Sequence, residues 1–98
     1  MKKEVYLTIL FDYYEDLFTD KQKDYFKNYY FENLSLGEIA DNYCVSRNAV
    51  FKQIKIVEAK LEEYENIFKC YYKDQEIRNI IKLVNDIEIK KRLEALIK

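Results

Sequence analysis

The chain has no proline, no histidine and no tryptophan, a single glycine (Gly37) and only two cysteines in its 98 residues. Proline and glycine are the two strongest breakers of regular backbone, so their near-absence favours long helices joined by short turns. Without histidine, Ser–His and Cys–His pairs cannot form, and no glycine-rich loop is present to cradle a phosphate. Catalysis therefore has no visible machinery, and the expectation is a protein that is not an enzyme and holds no cofactor. Cys44 and Cys70 are too few for a disulfide framework or a tetrahedral metal site. One disulfide between them stays open beside the reading of two reduced thiols in a cytoplasm. No apolar run approaches the roughly 20 residues that cross a bilayer, and acidic residues soon interrupt the basic Met1-Lys2-Lys3 start. The expectation is a cytoplasmic chain with no membrane insertion.

What the chain has in abundance is charge, at 36%, and aromatic side chains, with ten Tyr and six Phe. Tyrosine buries its ring while keeping its hydroxyl wet, which suits a thin core whose edges lie close to water. A base-stacking platform is the alternative use of so many rings. Their helical spacing favours the core.

In the first segment, Leu10, Tyr13/Tyr14 and Leu17 recur at helical intervals within "VYLTILFDYYEDLF". Thr19-Asp-Lys-Gln22 has the form of a capping box, and Tyr25, Phe26, Tyr29 and Tyr30 stripe the helix it opens. Asn33 can take the left-handed conformation that ends this helix. Ser35-Leu-Gly-Glu38 is a second capping box, opening a short helix to about Tyr43 with Leu36, Ile39, Ala40 and Tyr43 inward. Tyr43-Cys44-Val45 forms the joint. Positive φ is expected at Cys44, at a cost of about 1 kcal/mol relative to Gly. Ser46 then caps a fourth helix, whose apolar positions Val50, Ile54, Val57, Leu61, Tyr64 and Phe68 repeat as a heptad seam to about Tyr72. A fifth helix after "YKDQ" carries Ile77, Ile80, Ile81 and Val84, and "NDIE" caps a last one with Ile87, Ile89, Leu93, Leu96 and Ile97. The expected organisation is one all-α domain over 1–98, with a helix–turn–helix core at about 19–65 and a C-terminal helical extension at about 66–98 packed on the fourth helix. The seam also has the spacing to pair two chains, so a homodimer is a second expectation.

Charge is unevenly placed. Residues 1–45 carry five Lys against nine acids, whereas residues 46–55 carry Arg47, Lys52 and Lys55 with no acid. This window opens the second helix of the helix–turn–helix, which in DNA-binding versions enters the major groove. Arg47 and Asn48 are residue types that pair bidentately with guanine and adenine, and Lys52 and Lys55 suit phosphate. Phe51 interrupts the polar run with apolar surface where a DNA binder would prefer a polar or basic group; the same face could dock a protein or a structured RNA, and Phe51 suits the protein. Ser46, Arg47, Asn48, Phe51, Lys52 and Lys55 are the candidate contact residues for a partner or a nucleic acid. No metal-binding or catalytic residue is proposed. The acid pairs Asp12/Asp16 and Glu58/Glu62 read as solvated helix faces.

These pieces lie in a recognisable order. Leu10-Phe11-Asp12-Tyr13-Tyr14, Leu17-Phe18-Thr19-Asp20-Lys21-Gln22, Tyr29-Tyr30, Ser35-Leu36-Gly37-Glu38-Ile39-Ala40 and Val45-Ser46-Arg47-Asn48-Ala49-Val50 together resemble the YlxM family of helix–turn–helix proteins. The resemblance covers Ile9–Glu65 and is loose beyond it. It implies a fold like the promoter-recognising domain of sigma factors and a regulatory role in the signal recognition particle pathway, through contact with the particle's protein or RNA. It also carries Ser46, Arg47, Asn48 and Ala49 onto the start of the family's recognition helix. A transcription regulator binding DNA through the same helix is the alternative.

Overall fold

A computed structural model describes residues 1–98 as six α-helices with no strand. They are α1 (Lys3–Tyr14), α2 (Asp20–Tyr30), α3 (Leu36–Tyr43), α4 (Arg47–Phe68), α5 (Cys70–Ile81) and α6 (Ile87–Glu94). The chain forms two compact units, Met1–Tyr64 and Glu65–Lys98.

In the first unit, α1 buries Leu7, Leu10, Phe11 and Tyr14, a spacing of 3, 1 and 3 that lines one helical face. The helix is shorter than its apolar pattern suggested. It tightens into a 3₁₀ turn over Glu15–Leu17, so Leu17 is 54% exposed and Phe18 takes the buried place expected of it. The reason is local: Phe18 is extended and its N–H donates to the Glu15 carbonyl, which turns the chain before another α-turn can form. Phe11 stacks on Phe26 at 4.4 Å, and Phe26 stacks on Tyr30 at 4.4 Å. Tyr14 and Phe18 both meet Tyr64 of α4, with centroids 5.9 and 5.7 Å away. Lys27 of α2 bonds Glu15, a contact that holds the ammonium pKa above its ordinary value. Phe11, Tyr14, Phe18, Tyr25 and Phe26 therefore serve as core, whereas Tyr29, Phe31, Tyr43, Phe51, Phe68 and Tyr72 stay exposed.

Both capping boxes form. Thr19 Oγ1 accepts from the Gln22 N–H, while the Gln22 carboxamide oxygen accepts from the Thr19 N–H; Ser35 and Glu38 do the same for α3. The second box lowers the Glu38 carboxyl pKa, chiefly through the Ser35 backbone N–H. Asn33 and Cys44 have φ of 56° and 55°, as their positions at helix ends suggested. Along α4, Val50, Ile54, Val57 and Leu61 are buried within this unit. Four positions of the seam are therefore occupied within the chain and are not the surface on which two copies would meet.

The second unit begins inside α4. That helix stops at Phe68, four residues short of the expected Tyr72, because Lys69 turns left-handed at φ 55°. The next helix then starts at once, from Cys70 and not after Gln75. Its first turn is capped from an unusual direction: Glu65 Oε1 accepts from the Tyr71 N–H at 3.1 Å, and Oε2 from the Tyr72 N–H at 3.0 Å. One carboxylate thereby satisfies two donors that no helix can satisfy internally, at the end where the helix dipole favours negative charge. Asp86 caps α6 through the Ile89 N–H, as "NDIE" indicated, although Leu96 and Ile97 lie past the helix end. Asp74 Oδ2 accepts from the Lys98 N–H and Arg78 donates to the Lys98 carbonyl, so α5 holds the last residue. Neither Cys44 nor Cys70 is in a disulfide.

Candidate partner or nucleic-acid interface

The joint between α3 and α4 rests on five buried residues: Tyr25 from α2, Ile39 and Ala40 from α3, and Val50 and Ile54 from α4. Tyr30, Leu34, Leu36 and Val45 pack around them. Ala40 has no side chain beyond Cβ, which lets α3 approach closely. The turn closes when the Val45 N–H donates to the Ala40 carbonyl at 3.0 Å across the left-handed Cys44. Two polar ties fix α2 to the motif. Gln22 Nε2 donates to Gln53 Oε1 of α4 at 3.3 Å, and Asn28 Nδ2 donates to the Tyr43 hydroxyl at 3.2 Å. The start of α4 is thus held on a rigid support.

The candidate residues differ in what they offer. Ser46 Oγ accepts from the Ala49 N–H at 3.1 Å, so its role in this structure is to cap the helix. Arg47 is exposed, and its guanidinium lies over Gly37 of α3: a Cβ on Gly37 would come within 3.0 Å of Cζ, Nε and Nη2. The single glycine of the chain therefore makes room for the cation that opens α4. Asn48 and Lys52 are exposed, and Phe51 is 44% exposed, as apolar surface between them. Asn48, Phe51, Lys52 and Lys55 follow helical spacing and share one side of the helix.

Lys55 ends the row differently from the expectation of a free phosphate contact. Its Nζ lies 3.1 Å from Glu58 Oε1 and 5.4 Å from the centroid of the Phe51 ring. Glu58 in turn accepts a short hydrogen bond from the Tyr30 hydroxyl of α2. The phenol is held well above its usual pKa, first by burial and then by that hydrogen bond, so it remains a donor. Glu62 bonds Lys3 of α1 at 3.3 Å. Glu58 and Glu62 are therefore not the plain solvated face that their spacing indicated, because each has a partner in another helix. Tyr30, Glu58, Gln53 and Gly37 are the residues of the site that the linear sequence did not single out.

Comparison with known proteins gives the family. The whole chain, residues 1–98, matches the UPF0122 family model, described as "Putative helix-turn-helix protein, YlxM / p13 like". A UPF0122 protein of Bacillus pumilus is 44% identical over 101 residues, covering 99% of this chain and 92% of the relative. One from Bacillus velezensis is 41% identical over the same shares, and one from Shouchella clausii is 44% identical over 83% of this chain and 74% of its own length. With the motif built from α3, the left-handed joint and α4, and with the match running end to end, this chain belongs to the UPF0122 family of YlxM / p13-like helix-turn-helix proteins.

Proposed function

We propose that this protein is a non-enzymatic regulatory factor that acts by docking through the start of α4, and that its partner is the protein or RNA of the signal recognition particle. The observation that carries the docking mode is the composition of the free face. Arg47, lying over Gly37, and Lys52 are exposed cations on the same helix start as the exposed Phe51, while Lys55 is paired with Glu58. Two cations release few counterions, which gives bare duplex DNA little affinity and leaves apolar contact at Phe51 to contribute a larger share. The particle as partner rests on the family resemblance.

A second reading, a transcription regulator, is favoured by one feature. Arg47 and Asn48 occupy the first turn of the second helix of the motif, where groove-reading side chains stand. The two readings separate in a fluorescence anisotropy titration at low and physiological salt. The titrants are the particle protein, its RNA, their complex and random duplex DNA. Saturable binding to a particle component that survives salt and weakens with Arg47→Ala or Phe51→Ala supports the first. Tight DNA binding lost with salt and with Arg47→Ala, beside no particle binding, selects the second.

A further inference from the structure

The basic row on α4 ends at a carboxylate that is anchored from outside the helix. Glu58 presents one oxygen to the Lys55 ammonium at 3.1 Å and the other to the Tyr30 hydroxyl. The Glu58 side chain is only 15% exposed, whereas that of Lys55 is 57% exposed. Lys55 is therefore the mobile partner and Glu58 the fixed one. Around them a shallow hollow is lined by Lys3, Lys55, Glu58, Ala59 and Glu62, with Lys3 already bonded to Glu62. An ordinary exposed i,i+3 ion pair would exchange freely with a phosphate. This one has its acid held in place by α2, and its ammonium also lies over the Phe51 ring.

We infer that Glu58 is a specificity-determining residue of the α4 face: by holding Lys55 it keeps the face from binding the phosphate backbone of duplex nucleic acid. Tyr30 is the positioning residue that acts through Glu58. Its phenol is a donor at neutral pH as any tyrosine is, and burial together with the Glu58 hydrogen bond keeps it protonated further into the alkaline range. Phe51 contributes the ring under the ammonium, so the same side chain that offers apolar surface also detains the cation. The inference rests on the start of α4 being the contact face, and it concerns which partners that face rejects.

The test is a salt titration of full-length protein against a random 20-base-pair duplex, read by anisotropy, with folding checked by circular dichroism. Glu58→Gln is informative because an amide oxygen still accepts from Tyr30 while the charge that holds Lys55 is gone. With Arg47 and Lys52 as the free cations, the wild type should show a log–log salt slope of about −1.8, or no measurable binding. Glu58→Gln should steepen the slope by about 0.9 and raise low-salt affinity roughly three- to tenfold. Lys55→Ala in the Glu58→Gln background should remove that gain. Tyr30→Phe should give a smaller gain of the same kind. Glu62→Gln makes the same change in net charge one turn further on and is the control for non-specific attraction. An unchanged slope with Glu58→Gln overturns the inference, as does a gain that persists without Lys55 or is matched by Glu62→Gln. The particle titration with Arg47→Ala and Phe51→Ala tests the face itself, so the two ideas fail in separate experiments.

Discussion

Residues 1–64 and residues 65–98 are both helical, yet they are stabilised by opposite means. The first unit contains every buried apolar side chain of the chain, from Leu7 to Leu61. In the second, the two buried residues are Glu65 and Asp74, at 7% and 8% exposure, while Ile67, Phe68, Tyr72, Ile80, Leu83, Ile87, Ile89 and Leu96 are exposed. The charge differs as well. Residues 65–98 hold eight basic and six acidic side chains, a net +2, so residues 1–64 carry −3 of the chain's −1. A segment shorter than about 40 residues rarely closes a hydrophobic core. The second unit instead uses carboxylates to satisfy backbone N–H groups: Glu65 at the start of α5, Asp74 at Lys98 and Asp86 at the start of α6. Hydrophobic burial sets stability in the first unit, and hydrogen-bond satisfaction sets geometry in the second.

The sharpest way to break this contrast is to truncate one apolar side chain in each unit. Phe26→Ala removes a fully buried ring that stacks on both Phe11 and Tyr30, and should cost about 3–5 kcal/mol by urea denaturation. Leu83→Ala, at 83% exposure, should stay within about 0.5 kcal/mol. A cost above about 2 kcal/mol at Leu83 would mean that the second unit's apolar surface is covered in solution.

Tyr30→Phe comes next. It leaves the part-buried Glu58 short of a donor and should cost about 2 kcal/mol at neutral pH. The pH dependence has a definite sign. The folded phenol pKa is raised, so its contribution is fully present below the unfolded value of about 10 and is lost as pH rises above it. Wild type should therefore weaken above pH 10 more steeply than Tyr30→Phe, as followed by circular dichroism. Equal slopes would show that the pair does not form.

Glu65→Ala probes the polar logic of the second unit. It should cost about 1–2 kcal/mol and speed hydrogen exchange at the Tyr71 and Tyr72 amides, leaving exchange in α1 unchanged. Unaltered exchange at those two amides would mean that α5 is capped by something else. Cys44→Gly should stabilise by about 1 kcal/mol, because it relieves a side chain held at φ 55°. The smallest effect is Tyr25→Phe. Its hydroxyl is buried without a hydrogen-bond partner, so its removal should be neutral or stabilise by up to about 1 kcal/mol. A loss above 1 kcal/mol would reveal a bound water at that oxygen.

What could be read from the sequence alone had a common character: it was local. Each capping box joins positions three apart, and Asn33 and Cys44 lie where helix ends want a left-handed residue, so both were legible. The seam of α4 was legible through Leu61, and so was the exposed, acid-free start of that helix with Arg47, Asn48, Phe51 and Lys52. Other features depended on partners distant along the chain. Lysine has no particular tendency to left-handed backbone, so the break at Lys69 is explained only by Glu65 reaching forward to cap α5. Leu17 and Phe18 are equally apolar by composition, and the 3₁₀ turn decided which of them is buried. Gly37 has no sequence signal for Arg47, and Tyr30 has none for Glu58, because ten and twenty-eight residues separate those pairs and only the packing of α2 and α3 against α4 brings them together. Helix identity and caps follow from hydrogen bonds within a few residues, which the sequence by itself determines. Which charges on α4 are held depends on neighbours that only the tertiary structure supplies, and that decided that Lys55 is bound to Glu58 while Arg47 and Lys52 stay exposed.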